Sequence, residues 1–191
     1  EEAKKTGKQI VACQDVKMLK AMKNSLESYP LFKSYKYSLK EITFIAELNI
    51  SGKKYLFKCK VDAIDFVTRS VIDLKTAASV SDHDIQQAKS LHFLDIQAYL
   101  YLAIVNTVLK NYCVIDSFKF IFCHKSENVP ECRFDALCSD EISNGSNRFY
   151  NKFLDYIKYK EQFKNKKRII RNNDEWENIG MKNYAYIDLG E

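Results

Sequence analysis

Apolar positions recur along the chain with two different periods, and each change of period marks a new element. In "DVKMLKAMKNSLESYPLF" (Asp15–Phe32), Val16, Leu19, Met22 and Leu26 fall at helical spacing. The pattern predicts a helix that Asp15 caps and Pro30 ends. The period then drops to two. "EITFIAELNI" (Glu41–Ile50) is rich in β-formers, "SGKK" (Ser51–Lys54) signals a turn, and "YLFKCKVDAIDF" (Tyr55–Phe66) sets Tyr55, Phe57, Cys59 and Val61 on one face. After a turn at "TRS", the short apolar run "VIDLKT" (Val71–Thr76) suits a strand in the middle of a sheet. Helical spacing returns over Ser79–Asn111, with a cap at Ser81 or Asp82 and a break near Ser90. The second half of that stretch is apolar nearly all round, as in a helix packed against a sheet.

"SFKFIFCHK" (Ser117–Lys125) predicts a strand, "CRFDAL" (Cys132–Leu137) a second candidate, and Asp140–Ile170 a long basic amphipathic helix. The tail around Trp176 reads as irregular. Helix, three-strand meander, helix, one or two strands, helix: this order predicts an α/β (α+β) domain with a mixed central β-sheet flanked by helices.

Composition narrows the class. A chain of 191 residues with 46% hydrophobic and 13% aromatic content suits one globular domain, 1–191. With 5 Gly and 2 Pro there is little room for long flexible linkers. The first residue is Glu, which points to a fragment lacking an upstream segment. No apolar run reaches the roughly 18 residues of a membrane span, and "EEAKKTGKQ" leads into no signal sequence, so the expected location is cytoplasmic. A net charge of +5 permits a polyanionic partner without requiring one. Cys13, Cys59, Cys113, Cys123, Cys132 and Cys138 contain no CxxC pair and read as free, mostly buried thiols.

The stretch "KCKVDAIDFVTRSVIDLKTA" (Lys58–Ala77) carries the candidate chemistry. Residues two apart on a strand share a face, so Asp73 and Lys75 project together while Ile72 and Leu74 point the other way. A hairpin centred near residue 68 sets Asp62 beside Ile72–Lys75. Two buried carboxylates repel and resist desolvation. A divalent cation relieves both problems: Mg²⁺ takes hard oxygen ligands and keeps waters, and the Leu74 carbonyl offers a further oxygen. The amine of Lys75 can then offset charge on a reacting phosphate. From spacing alone, a buried Asp–Lys ion pair is an equal reading.

Asp62-x10-Asp73-Leu74-Lys75 resembles the D…(D/E)xK signature of the PD-(D/E)xK nucleases. Downstream, Gln97-Ala-Tyr-Leu-Tyr101 resembles the QxxxY motif of the RecB-type and exonuclease branches. The order "KEITFIAEL…GKKYLFKCKVDAID…SVIDLKTA…IQAYLY" is most similar to the RecE-type exodeoxyribonuclease VIII family of phages and prophages. The resemblance implies a restriction-endonuclease-like core and a metal-dependent deoxyribonuclease, most simply a 5′–3′ exonuclease on double-stranded DNA ends. It implies Asp62 and Asp73 as metal ligands, Lys75 as the catalytic lysine, and Gln97 and Tyr101 as residues that hold DNA or the catalytic hairpin. The family's acid on the preceding strand maps best to Glu41, with Glu47 the competitor. Mg²⁺ is the implied metal and Mn²⁺ the alternative. A single-strand annealing protein, a homo-oligomeric ring and a bacterial or phage-infected cell belong to the same implication. The family's upstream histidine has no counterpart in residues 1–40.

Other residues have plainer readings. Asp65 is expected on the surface, on the side opposite Asp62. His92 reads as a packing histidine, out of helical phase with Gln97. Thr76 either touches a phosphate or ends the strand. The stripe Tyr156–Arg171 is either a solvated helix face or a DNA-backbone contact. Two alternatives to the exonuclease stay open: a restriction-type or CRISPR-adaptation endonuclease, and a non-catalytic DNA-binding module.

Overall fold

The structure is a computed structural model that describes residues 12–29, 32–126, 128 and 131–163. The chain divides into two compact units, Glu1–Lys152 and Phe153–Glu191. Of the second, only the helical residues 153–163 are described, so the end of the expected basic helix and the tail around Trp176 lie outside the described residues.

β1 (Leu39–Ile50) and β2 (Lys53–Asp65) form a long antiparallel hairpin. Ile50 pairs with Lys53 across a two-residue loop, where Ser51 (φ 51°) and Gly52 (φ 79°) are both left-handed. Such turns match the twist of the flanking strands, and glycine adopts the second position without strain. β3 (Ser70–Ala77) returns antiparallel to β2, and β4 (Ser117–His124) runs parallel to β3 from Ser70↔Ser117 to Ala77↔His124. β5 (Cys132–Ala136) pairs antiparallel with β4, completing a mixed sheet of order β1-β2-β3-β4-β5.

Parallel neighbours need a crossover. It is supplied by α3 (Asp82–Leu91) and α4 (Leu94–Leu109). Ser81 caps α3 by accepting from the Asp84 N–H, as the sequence predicts. The break falls at His92–Phe93, where Phe93 is left-handed (φ 52°) and the two helix axes bend by 64°. The apolar α4 buries Leu94, Ala98, Leu102, Ile104 and Val105 against Val61, Ile64, Val71 and the phenylalanines of β4.

The opposite sheet face carries Ala63, Ile72, Ile121, Cys123 and Cys132. It is covered by α1 (Cys13–Ser28) and by Tyr35 of the short α2 (Phe32–Tyr37). Helices therefore flank the sheet on both sides, and β3 supplies buried side chains to both cores: Val71 to one, Ile72 to the other.

Three expectations about local structure are corrected. The stripe of α1 that packs on the sheet is the buried Met22 and Leu26 with the partly buried Met18, whereas Val16 and Leu19 are exposed; an i, i+4, i+8 row meets the sheet. Ala12, not Asp15, stands at the N-cap of α1 and makes no side-chain bond, so Asp15 acts from within the first turn through the helix dipole. Asp65 is buried rather than on the surface. Its carboxylate accepts from the Val67 N–H (2.9 Å), the Thr68 N–H (3.3 Å) and the Thr68 hydroxyl (2.7 Å), and so closes the β2–β3 turn.

α5 (Ser139–Phe163) reaches the start of α4 through Gly145. A Cβ there would lie 2.1 Å from the Asp95 carbonyl oxygen, so only glycine allows the two backbones to approach this closely. Arg148 fastens the same contact by donating to Asp95 at 2.7 Å. Among the described residues no single helix is long and apolar enough to cross a membrane.

Candidate active site

The site forms where β2 and β3 part. Their pairing is confined to Ala63↔Ile72, Ile64↔Val71 and Asp65↔Ser70. One residue further, Asp62 replaces a ladder partner with its side chain: Oδ2 accepts the Leu74 N–H at 2.8 Å. This bond keeps a backbone donor satisfied at the fork. It also sets the Asp62 carboxylate beside the segment that carries Asp73 and Lys75.

Asp73 is 4% exposed. Its Oδ1 accepts a 2.6 Å hydrogen bond from Gln97 Nε2 of α4. Lys75 Nζ lies 2.7 Å from Oδ2 and donates to Gln97 Oε1 at 3.1 Å. Asp73, Lys75 and Gln97 thus close a three-membered ring of polar contacts. The ion pair with this ammonium gives the buried Oδ2 its partner. Burial pushes the Asp73 carboxyl above the ordinary carboxylate range; Lys75 opposes the rise, the charge of Asp62 adds to it, and the Gln97 bond opposes it. On the neighbouring strand, Asp73 and Lys75 stand opposite Phe120 and Phe122. The ammonium sits 5.8 Å from the Phe120 ring centroid, an apolar, weakly attractive floor.

Tyr101 lies one turn beyond Gln97 and packs edge-on to Phe118 (6.2 Å between centroids). Burial raises its pKa most, and the charges of Asp73 and Asp62 add to the rise, so the phenol is within electrostatic reach of both acids. Glu41 is not drawn into this cluster. It falls between the pairs Lys40↔Ala63 and Ile42↔Val61, takes a left-handed conformation (φ 58°) and forms an exposed ion pair with Lys60. Glu47, the competitor, pairs with Lys54 at 2.8 Å on the exposed side of the hairpin. Leu74 enters the site through its N–H, and Thr76 is exposed at the edge of a neighbouring cavity.

That cavity, of about 620 Å³, opens from Lys75 and Gln97 toward α3. His92 corrects its sequence reading: it is exposed, not packed, and lines the cavity wall. Its phase is broken because the left-handed Phe93 ends one helix and starts another. Sequence reasoning also passed over Lys89. It is buried with the carboxylates of Asp135 (2.7 Å) and Glu141, joining α3, β5 and α5. A lysine on a mostly polar helix carries no mark of burial.

Among the described residues, no group of three or more His, Cys, Asp or Glu side chains is arranged to hold a metal. Mg²⁺ requires less: one or two carboxylates, with waters and substrate oxygens completing its shell. The carboxylates of Asp73 and Asp62, whose charges act on one another, are of the kind that fits that need. Among the described residues Cys59, Cys123 and Cys132 are buried, Cys113 half-buried and Cys138 exposed, all free. Cys123 and Cys132 approach to 2.9 Å between sulfurs across β4 and β5.

Comparison with solved structures gives the fold a relative. This chain has the fold of a nuclease-named protein. That protein, a "putative exonuclease" from Eubacterium rectale, superposes with a TM-score of 0.61 at 18% identity, over 82% of this chain and 62% of its own. The chain therefore spans less than two thirds of that protein's length. A second structure, SSO0001, gives a TM-score of only 0.38 at 19% identity, over 71% of this chain and 56% of that one, and adds nothing to the argument. No family model and no curated protein matches the chain.

Proposed function

We propose that this chain is a Mg²⁺-dependent deoxyribonuclease, and within that class a 5′–3′ exonuclease acting on double-stranded DNA ends. One observation carries the reading: a buried aspartate, ion-paired to a lysine and hydrogen-bonded to a glutamine, lies within electrostatic reach of a second aspartate at a strand fork. Asp62 satisfies the Leu74 N–H, but its charge works against a buried Asp–Lys pair that served stability alone. The nuclease-named fold relative and the D…DxK and QxxxY resemblance support the same class. The exonuclease polarity, the annealing-protein partner and a ring assembly rest on the RecE-type resemblance alone.

Asp62 and Asp73 would hold the metal, with the Leu74 carbonyl as a further oxygen; Glu41 joins only by leaving Lys60. Bound there, Mg²⁺ (or Mn²⁺) supplies an activated water and a counter-charge for the phosphodiester. Lys75 faces the charge that grows on the phosphate. Gln97 holds the Lys75 amine and the Asp73 carboxylate in one fixed arrangement. Tyr101 and Thr76 flank the path of the DNA.

The test is digestion of an end-labelled linear duplex with and without Mg²⁺, beside a closed circle of the same sequence. Linear DNA should be degraded and the circle spared. Lys75→Ala should lower the rate by about 10²–10³-fold, as for loss of one charge-stabilising donor, with an unchanged circular dichroism spectrum. Undiminished cleavage by Lys75→Ala would remove the lysine from the chemistry, and cutting of the circle would make the enzyme an endonuclease.

A further inference from the structure

Two of the six cysteines face each other across the last strand pair of the sheet. Cys123 of β4 and Cys132 of β5 are direct register partners, nine positions apart in sequence. The neighbouring bonds fix the kind of pair they form. The His124 N–H donates to the Glu131 carbonyl and the Leu137 N–H to the Phe118 carbonyl, so the hydrogen-bonded pairs between them are Phe120↔Asp135 and Phe122↔Arg133. Cys123↔Cys132 is therefore a non-hydrogen-bonded pair, in which opposite side chains stand closest. Such pairs set their Cα atoms roughly 4.5 Å apart, inside the roughly 4.4–6.8 Å that a disulfide spans. The two sulfurs already approach to 2.9 Å.

Both thiols are buried, against Met22, Leu26, Ile72 and Ile121. Burial pushes the Cys123 thiol well above its ordinary range and the neighbouring Cys132 adds to the rise, so thiolate is scarce while the strands are closed. Access comes from the edge. β5 has five residues and pairs on one side only, so its local opening frees both sulfurs at small cost. Cys59, by contrast, faces Phe44 in the other core.

We infer that Cys123 and Cys132 are a modification site, converted by an oxidant of the small-disulfide class into a cross-strand disulfide that staples β5 to β4. The site is independent of the nuclease reading. In the opened strand, the thiolate of one cysteine attacks a sulfur of glutathione disulfide; the S–S bond breaks and one glutathione leaves as thiolate. The thiolate of the other cysteine then attacks the protein-bound sulfur and expels the second glutathione. The protein gives up two protons and two electrons, and glutathione disulfide is reduced to two glutathiones. Excess thiol reverses both steps. Closed, the staple fixes the strand whose Asp135 holds Lys89 of α3.

The test incubates the full reduced chain with glutathione disulfide, quenches in acid and maps proteolytic peptides by mass. A species joining Cys123 to Cys132, lighter by two hydrogens than its separate peptides, should form and should disappear with dithiothreitol. The oxidised chain should melt about 5–10 °C above the reduced one, as for a cross-link that closes a short loop. Cys132→Ala should abolish both the link and the shift. Cys138→Ala, an exposed position beyond β5, should keep both. Sulfurs that stay thiols at both positions, glutathione left on either one without a link, a link to another cysteine instead, or melting points within about 1 °C of each other would each overturn the assignment.

Discussion

Replacing Gln97 by alanine tests the ring of polar contacts on stability alone, apart from any activity. The amide nitrogen donates to buried Asp73 at 2.6 Å, and the amide oxygen accepts from Lys75 at 3.1 Å. Hydrogen bonds to charged groups contribute about 1.5–3 kcal/mol each, and a buried acceptor left without a donor costs about 1–3 kcal/mol. The two bonds share one network and do not add, so Gln97→Ala should cost about 2–3 kcal/mol near neutral pH. In a chain of 191 residues this corresponds to a fall in Tm of about 4–12 °C.

The pH dependence is the sharper readout. Burial already holds the Asp73 pKa above its unfolded value, and the Gln97 bond is one of the effects opposing that rise. Loss of Gln97 lifts it further. A carboxyl with a raised folded pKa burdens the fold in its charged form. The burden is absent below the unfolded value and grows as pH rises to the folded one. The unfolded carboxyl is the same with or without Gln97, so the pH-dependent part of the Gln97→Ala penalty should be full well above the raised folded pKa of Asp73 and shrink as pH falls below it, where the carboxyl is protonated in both folded chains. Urea melts followed by far-ultraviolet circular dichroism, without divalent metal, measure both. A penalty below about 0.5 kcal/mol, or one that does not vary with pH, would refute the buried charged ring.

Two further substitutions probe what positions the site. Gly145→Ala gains about 1 kcal/mol of helix propensity but puts a Cβ 2.1 Å from the Asp95 backbone oxygen. Overpacking against backbone costs about 1–3 kcal/mol or more, so the Tm should fall; a rise would mean that α5 slides off α4 freely. Asp65→Ala removes three acceptor contacts from the β2–β3 turn and should lower stability by about 1–3 kcal/mol, seen as a lower urea midpoint. No change in midpoint would show that the turn closes without its carboxylate.

Local chemistry wrote much of this molecule into its sequence. The two-residue turn at Ser51–Gly52, the Ser81 cap, the alternation of Ile72 and Leu74 against Asp73 and Lys75, and the QxxxY spacing are short-range features. Each depends on a few bonds along one segment, so periodicity and turn chemistry expose them. A mixed sheet with helices on both faces follows from the order of those segments. Tertiary structure decided the rest, because the deciding contacts join residues far apart in sequence. Asp65 reads as a surface acid until the turn folds back onto it, and Lys89 reads as solvated until β5 and α5 bring Asp135 and Glu141 to it. Glu41 fits the family's spacing, yet a bulge conformation turns it toward Lys60. The strand fork is itself tertiary: only when the Leu74 N–H meets the Asp62 side chain does the second acid come to the segment that carries Asp73 and Lys75, and only α4 brings Gln97 to them.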